Sequence, residues 1–202
     1  HSPDLWYPYL WMLGGDIVSI KQGHPTKGTY WYPSFNSSEG LRALNFIKEQ
    51  IDAGILPQKD HFWGEEFLDR KFAVMIEALQ HHVPITTPLN RTHFEQNVGF
   101  IPMFPVPDES TQTSTLMGGW ELGVPVTSAH KDLAWELITI MLEPQILGPY
   151  LTKHANMPTQ LPIDEGQYSL EPRKVVPYYD QLGSMISKGD TRPSIPEYHQ
   201  LA

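Results

Sequence analysis

The sequence predicts an α/β protein, and three stretches carry that prediction. Residues 36–53 read as a capped amphipathic helix, and residues 72–76 as an apolar run of strand length. Residues 116–142 read as a glycine pair carrying an exposed tryptophan, then a short strand, a turn and a second amphipathic helix. A strand-length apolar run is expected to be buried, and beside helices with one apolar stripe it implies helices layered on a sheet. At 202 residues the chain suits one large domain or two small ones, with length enough to bury a substantial core.

In chain order, residues 1–13 hold Trp6, Tyr7, Tyr9, Leu10 and Trp11, which predicts a short helix or turn pair ending at Gly14 and Gly15. Ile17 to Ile20 should form a strand, residues 23–28 a turn, and residues 29–32 a returning strand. Asn36 followed by Glu39 is a cap with its glutamate three positions later, opening a helix to about residue 53. Its expected buried stripe is Leu41, Leu44, Ile47 and Ile51, and Gly54 is the stop. A short helix is expected at residues 62–68, and loop with room for a short helix at 81–96. Residues 97–104 should form a strand interrupted by Pro102, which places it at an edge or crossing. Residues 108–115 read as a polar loop. Ser128 is the expected cap of the next helix, with Ala134, Leu137, Ile138, Met141 and Leu142 on one face. Further short helices are expected at 145–154 and 175–188, with a structured turn at 156–162 between them.

The composition narrows the function. A net charge of -9 argues against nucleic acid or an anionic membrane as partner. No apolar run reaches the length of a membrane-spanning helix, and no basic segment followed by an apolar stretch marks a leader, so any leader is expected to be gone. With no cysteine, disulfides and thiolate metal sites are excluded, but no compartment is chosen. The 6 Trp, 9 Tyr and 8 Phe supply amphipathic aromatic surface, material for a core or for a sugar site alike.

Catalytic signals are weak. Glu65, Glu66, Asp69 and Glu77 are carboxylates for a hydrolase pair, yet neighbouring acids on a helix usually form a solvated face. His81, His82 and His93 lack metal-ligand spacing, and no nucleophile elbow, P-loop or dinucleotide motif is present. Binding without catalysis, cofactor or metal fits these residues better than a reaction. In Gly118-Gly119-Trp120 the glycines let a ligand or another backbone approach, and the indole offers a flat face. A tryptophan so placed is more often packed than functional, so both readings stand at this level.

Six phrases, in order, resemble the extracellular solute-binding proteins of ABC importers, in the carbohydrate-binding group that includes maltose-binding proteins. They are Leu10-Trp-Met-Leu-Gly-Gly-Asp-Ile17, Asn36-Ser-Ser-Glu-Gly-Leu-Arg-Ala-Leu-Asn-Phe46, Phe67-Leu-Asp-Arg-Lys-Phe-Ala-Val-Met75 and Val98-Gly-Phe-Ile-Pro102. Gly118-Gly-Trp120 with Lys131-Asp-Leu-Ala-Trp-Glu136, and Asn156-Met-Pro-Thr159, complete them. The chain differs from the family pattern at residues 69–72 and 77–80.

The resemblance implies a periplasmic-binding-protein-like fold of type II, in the latter half of a two-lobed chain. Residues 1–98 and 150–202 would belong to the second lobe and residues 99–149 to a returning segment of the first, most of which would be absent. It also implies that Trp120, Gly118 and Gly119 line the first-lobe side of a ligand cleft, and Trp11, Gly14 and Gly15 the second-lobe side. Asn156 and Thr159 would approach the cleft late in the chain. The implied activity is capture of a sugar or oligosaccharide, or of another small polar solute, by lobe closure and delivery to permease subunits in the membrane. The intact protein would be monomeric and extracellular, either lipid-anchored or periplasmic.

Overall fold

The computed structural model describes residues 3–24, 26–56, 67, 69–71, 73–76, 91–101, 114–154, 156–159, 173, 176–195 and 198. Helices and strands are mixed, as an α/β chain requires, and the chain divides into two compact units. One comprises His1–Phe62, Ile101–Gly118 and Ser184–Ala202; the other comprises Trp63–Phe100 and Gly119–Gly183.

The first unit is built around its opening helix. A 3-10 turn, Pro3–Leu5, leads into α1, Tyr7–Met12, every residue of which is buried. Tyr7, Tyr9, Leu10 and Trp11 join Ile17, Val18 and Ala43 in one core, with Trp6, Phe35, Phe46, Leu116, Ile195 and Tyr198 packed against it. Burial of this helix on all sides is why its aromatic residues show no polar face in the sequence. Desolvation pushes the Tyr9 phenol up to about 12. The chain leaves α1 through Gly14 at φ +84°, a left-handed turn that suits glycine.

β1, Val18–His24, pairs antiparallel with β2, Gly28–Pro33, matching Val18 to Pro33, Ile20 to Trp31 and Lys21 to Tyr30. This hairpin agrees with the sequence expectation. α2 runs Ser38–Asp52, and its cap is Ser37 rather than Asn36: the Ser37 hydroxyl accepts the Gly40 N–H at 3.1 Å. Hydrogen bonds from its own backbone N–H, then from Ser37 and Ser38, hold the Glu39 carboxyl below its ordinary value. Gly54, at φ +70°, follows the helix as the expected stop.

The packed face of α2 also differs from expectation. Leu41 and Leu44 are 60% and 52% exposed, whereas Gly40 and Ala43 are buried, with Phe46 and Ile47 packed beside them. A Cβ on Gly40 would run into the carbonyl oxygen of Phe35. The helix therefore seats its smallest side chains against its own approach loop. Of the expected stripe Leu41 and Leu44 are exposed, while Ile47 packs on the core and Ile51 is half-buried, so the packed face is turned toward Gly40 and Ala43 in the first half of the helix only.

β3, Thr115–Met117, pairs in parallel with β4, Gly189–Thr191, and the Ser114 hydroxyl donates to the Asp190 carboxylate at 2.8 Å. Neither three-residue strand was expected where it lies. The strand expected after the glycine pair in fact precedes it, and residues 121–125 have no regular structure.

The second unit contains α3, Arg91–Asn97, α4, Lys131–Met141, α5, Pro144–Lys153, and most of α6, Tyr179–Met185, which a 3-10 turn, Ile186–Lys188, extends. Val176 and Tyr179 form a small core with Met157 and Leu182. The Tyr178 hydroxyl donates to the Val98 carbonyl, and its ring stacks on Phe100 with centroids 5.4 Å apart. Burial, then the nearby charge of Glu95, pushes the Tyr178 phenol up.

Three expectations fail in this unit. Residues 73–76 form no strand, and Val74 is 62% exposed while Met75 and Ile76 are half-buried. The strand expected at 97–104 is absent from its described part: Asn97 ends α3 and residues 98–101 are irregular. On α4 only Ile138 is buried, Leu133, Trp135 and Leu137 are exposed, and the cap position is His130, to which Ser128 contributes only a turn. The expected helix at 62–68 lies, apart from Phe67, outside the described residues.

Candidate functional site

Residues 118–123 form an open run in which every residue is exposed. A Cβ added to Gly118, Gly119 or Gly123 would meet nothing within 4 Å. Trp120 stands in this run at 85% exposure. At that exposure most of the indole surface is open to a partner. An indole face offers dispersion and polarised π-density to a C–H-lined surface, and its N–H is a single donor.

Trp11 is placed quite differently. It is 8% exposed, in the core of the first unit, 5.7 Å from the Tyr7 ring, and donates its indole N–H to Asp16 at 3.3 Å. The same Asp16 oxygen accepts the Ile17 N–H at 2.7 Å, which fixes the chain as it enters β1. Gly14 is exposed with open space where a Cβ would stand. Gly15 is enclosed: its added Cβ would meet the Leu10 side chain and, at 2.9 Å, the Glu39 Cβ. Trp11, Gly14 and Gly15 thus share one turn, tied by the Gly14 N–H to the Trp11 carbonyl at 2.9 Å.

Asn156 follows α5, half-buried, its N–H bonded to the Leu151 carbonyl at 2.9 Å; Thr159 is exposed. Among the described residues no hydrogen bond or ring contact joins Trp120 to Asn156 or Thr159. A hollow of about 400 Å³ in the second unit is lined by Glu95, Arg173, Tyr178, Tyr179, Asp180 and Gln181, and by none of the expected site residues. Glu65, Glu66, Glu77, His81 and His82 lie outside the described residues, and among the described residues no group of His, Asp or Glu is placed to hold a metal ion.

Sequence reading missed one polar cluster entirely. In the first unit Arg192 donates Nε and Nη2 to the two carboxylate oxygens of Asp4, at 3.0 and 2.6 Å. Beside it the phenol oxygens of Tyr7 and Tyr198 meet at 2.9 Å. Desolvation, then the hydrogen bond to Tyr198, pushes the Tyr7 phenol up; the Asp4 hydrogen bond does the same for Arg192. The partners are 188 and 191 positions apart, so no local spacing announces them.

No family model matches the chain. Among solved structures it is similar to the GacH receptor of Streptomyces glaucescens, known unliganded and in complex with acarbose and an acarbose homologue. That match has a TM-score of 0.73 at 20% identity and covers 98% of this chain and 48% of the receptor. A second similar structure is the cyclic alpha-maltosyl-1,6-maltose binding protein from Arthrobacter globiformis, with a TM-score of 0.53 at 21% identity over 96% of this chain and 46% of that one. The chain therefore spans about half the length of each. Its structural neighbours are maltose-binding-protein-like sugar-binding proteins, and it shares their α/β fold. Among the described residues no helix is long and apolar enough to cross a membrane.

Proposed function

We propose that this chain belongs to the substrate-binding component of an ABC importer that captures a sugar or oligosaccharide without altering it. The observation that carries the reading is Trp120, 85% exposed on a run of open glycines, in a chain that shares its fold with two carbohydrate receptors. A pyranose presents an apolar C–H face to such a ring and a hydroxyl rim to polar side chains and backbone. On this reading Gly118 and Gly119 admit the ligand close to the backbone. Asn156 and Thr159 offer amide and hydroxyl partners, while Trp11, Gly14 and Gly15 shape the turn on the opposite lobe.

The lobe division we propose assigns residues 1–98 and 150–202 to one lobe and 99–149 to a returning segment of the other. Closure around the solute precedes docking to the permease subunits, outside the cell or in the periplasm. No cofactor is needed for such work. The test is calorimetric titration of the full-length protein with maltose, maltotriose and acarbose, alongside amino acids and peptides. Saturable binding of a sugar with the sugar recovered intact supports the reading. Binding confined to an amino acid or peptide, or breakdown of the sugar, overturns it.

A further inference from the structure

We infer that one face of α4 is the seat of a further segment of this protein, the part of the first lobe that lies outside residues 1–202; this rests on the lobe division proposed above and not on which solute is bound. α4 is apolar over a wider arc than it buries. Leu133, Leu137, Ile140 and Met141 recur at i, i+4, i+7 and i+8, a single stripe of an α-helix, and are 64%, 58%, 42% and 42% exposed. Asp132, Glu136 and Thr139 form a separate polar side. The contacts that α4 does make use only an edge of the apolar arc, where Ile138 is buried and Ala134 half-buried. Large apolar side chains aligned in water are unfavourable, and a contiguous stripe of them marks a contact surface.

What covers the stripe follows from the fold. In an α/β architecture a helix with one apolar stripe lies on a sheet, yet among the described residues the second unit holds helices and no strand. The match that takes in 98% of this chain covers only 48% of the GacH receptor, so about half of that fold has no counterpart within residues 1–202. The stripe itself carries no charge and no hydrogen-bonding group. Such a surface suits a permanent dry contact, whereas surfaces that meet and part in solution are more polar. The occupant is therefore an apolar sheet face of the same molecule rather than a second copy or a transient partner.

The experiment places the photo-cross-linker p-benzoylphenylalanine in the full-length protein, at Leu133 or Leu137 on the stripe and at Thr139 on the polar side. Illuminated protein is separated into monomer and dimer, and the joined peptides are identified by mass spectrometry. The expected result is a cross-link within one molecule from Leu133 and Leu137 to a peptide outside residues 1–202, with little or none from Thr139. Met141 takes the same substitution if either stripe variant does not fold. Cross-links from the stripe to peptides within residues 1–202, cross-links between two copies, or no cross-link from any stripe position overturn the inference. Titration of the wild-type protein with maltotriose and acarbose is read separately. Sugar binding without the expected cross-link overturns this inference alone, and the expected cross-link without sugar binding overturns the carbohydrate reading alone.

Discussion

Two tryptophans of this chain show how far one residue type can diverge in role. Trp120 is 85% exposed and Trp11 is 8% exposed, so truncating them should have opposite consequences. Trp120→Ala is expected to weaken sugar binding by about 1–3 kcal/mol, as for loss of an aromatic anchor, with the melting temperature nearly unchanged. Trp11→Ala empties a core position and leaves Asp16 without the indole donor, and is expected to cost about 3–5 kcal/mol of stability. Calorimetry on one variant and chemical denaturation on the other check the pair. A large fall in stability for Trp120→Ala with affinity intact contradicts the stacking role.

The tyrosines make a prediction about alkaline pH. Burial raises Tyr9 from 10.0 to about 12 and raises Tyr7 and Tyr178 in the same direction. A raised value means that the folded chain holds the phenolic proton more tightly than the unfolded chain does. The stabilisation is therefore complete below about pH 10 and lost as pH climbs through about 12. Denaturation midpoints followed together with phenolate absorbance should fall across that window. A flat midpoint from pH 10 to 12 contradicts the burial of these phenols.

At the scale of elements, capping is directly testable. Ser37 supplies the α2 cap through its hydroxyl at 3.1 Å from the Gly40 N–H, so Ser37→Ala should cost about 1 kcal/mol, while Asn36→Ala should cost much less. Equal losses, measured by denaturant titration, would return the cap to Asn36. The sequence had narrowed this helix to within a residue or two at both ends, because Ser37, Glu39 and Gly54 are local signals acting on adjacent backbone. α1, the hairpin and α5 were legible for the same reason: alternation, turn glycines and proline at a helix start are short-range features.

What was not legible depends on partners far along the chain. The buried side of α2 was misjudged because Leu41 and Leu44 make the most apolar stripe, whereas contact with Phe35 selects Gly40 and Ala43. β3 and β4 are three residues each and draw their pairing from segments more than 70 positions apart. Trp120 was legible as a candidate through its glycines, but no spacing distinguished packed from exposed. The Asp4–Arg192 fork left no trace in the sequence, since neither residue has a local pattern around it.

At the scale of the whole molecule, the chain divides into two compact units and shares its α/β fold with two sugar-binding proteins. On the proposed reading, lobe closure would bring aromatic faces and hydroxyl partners that lie in different local motifs to the ligand. The most direct measurement is calorimetric titration of the full-length protein with maltotriose and acarbose, repeated on Trp120→Ala. The expected result is saturable one-site binding of at least one of these sugars, recovered unchanged and markedly weakened in the variant. Absence of binding to either, with saturable binding of an amino acid or peptide instead, would contradict a carbohydrate receptor.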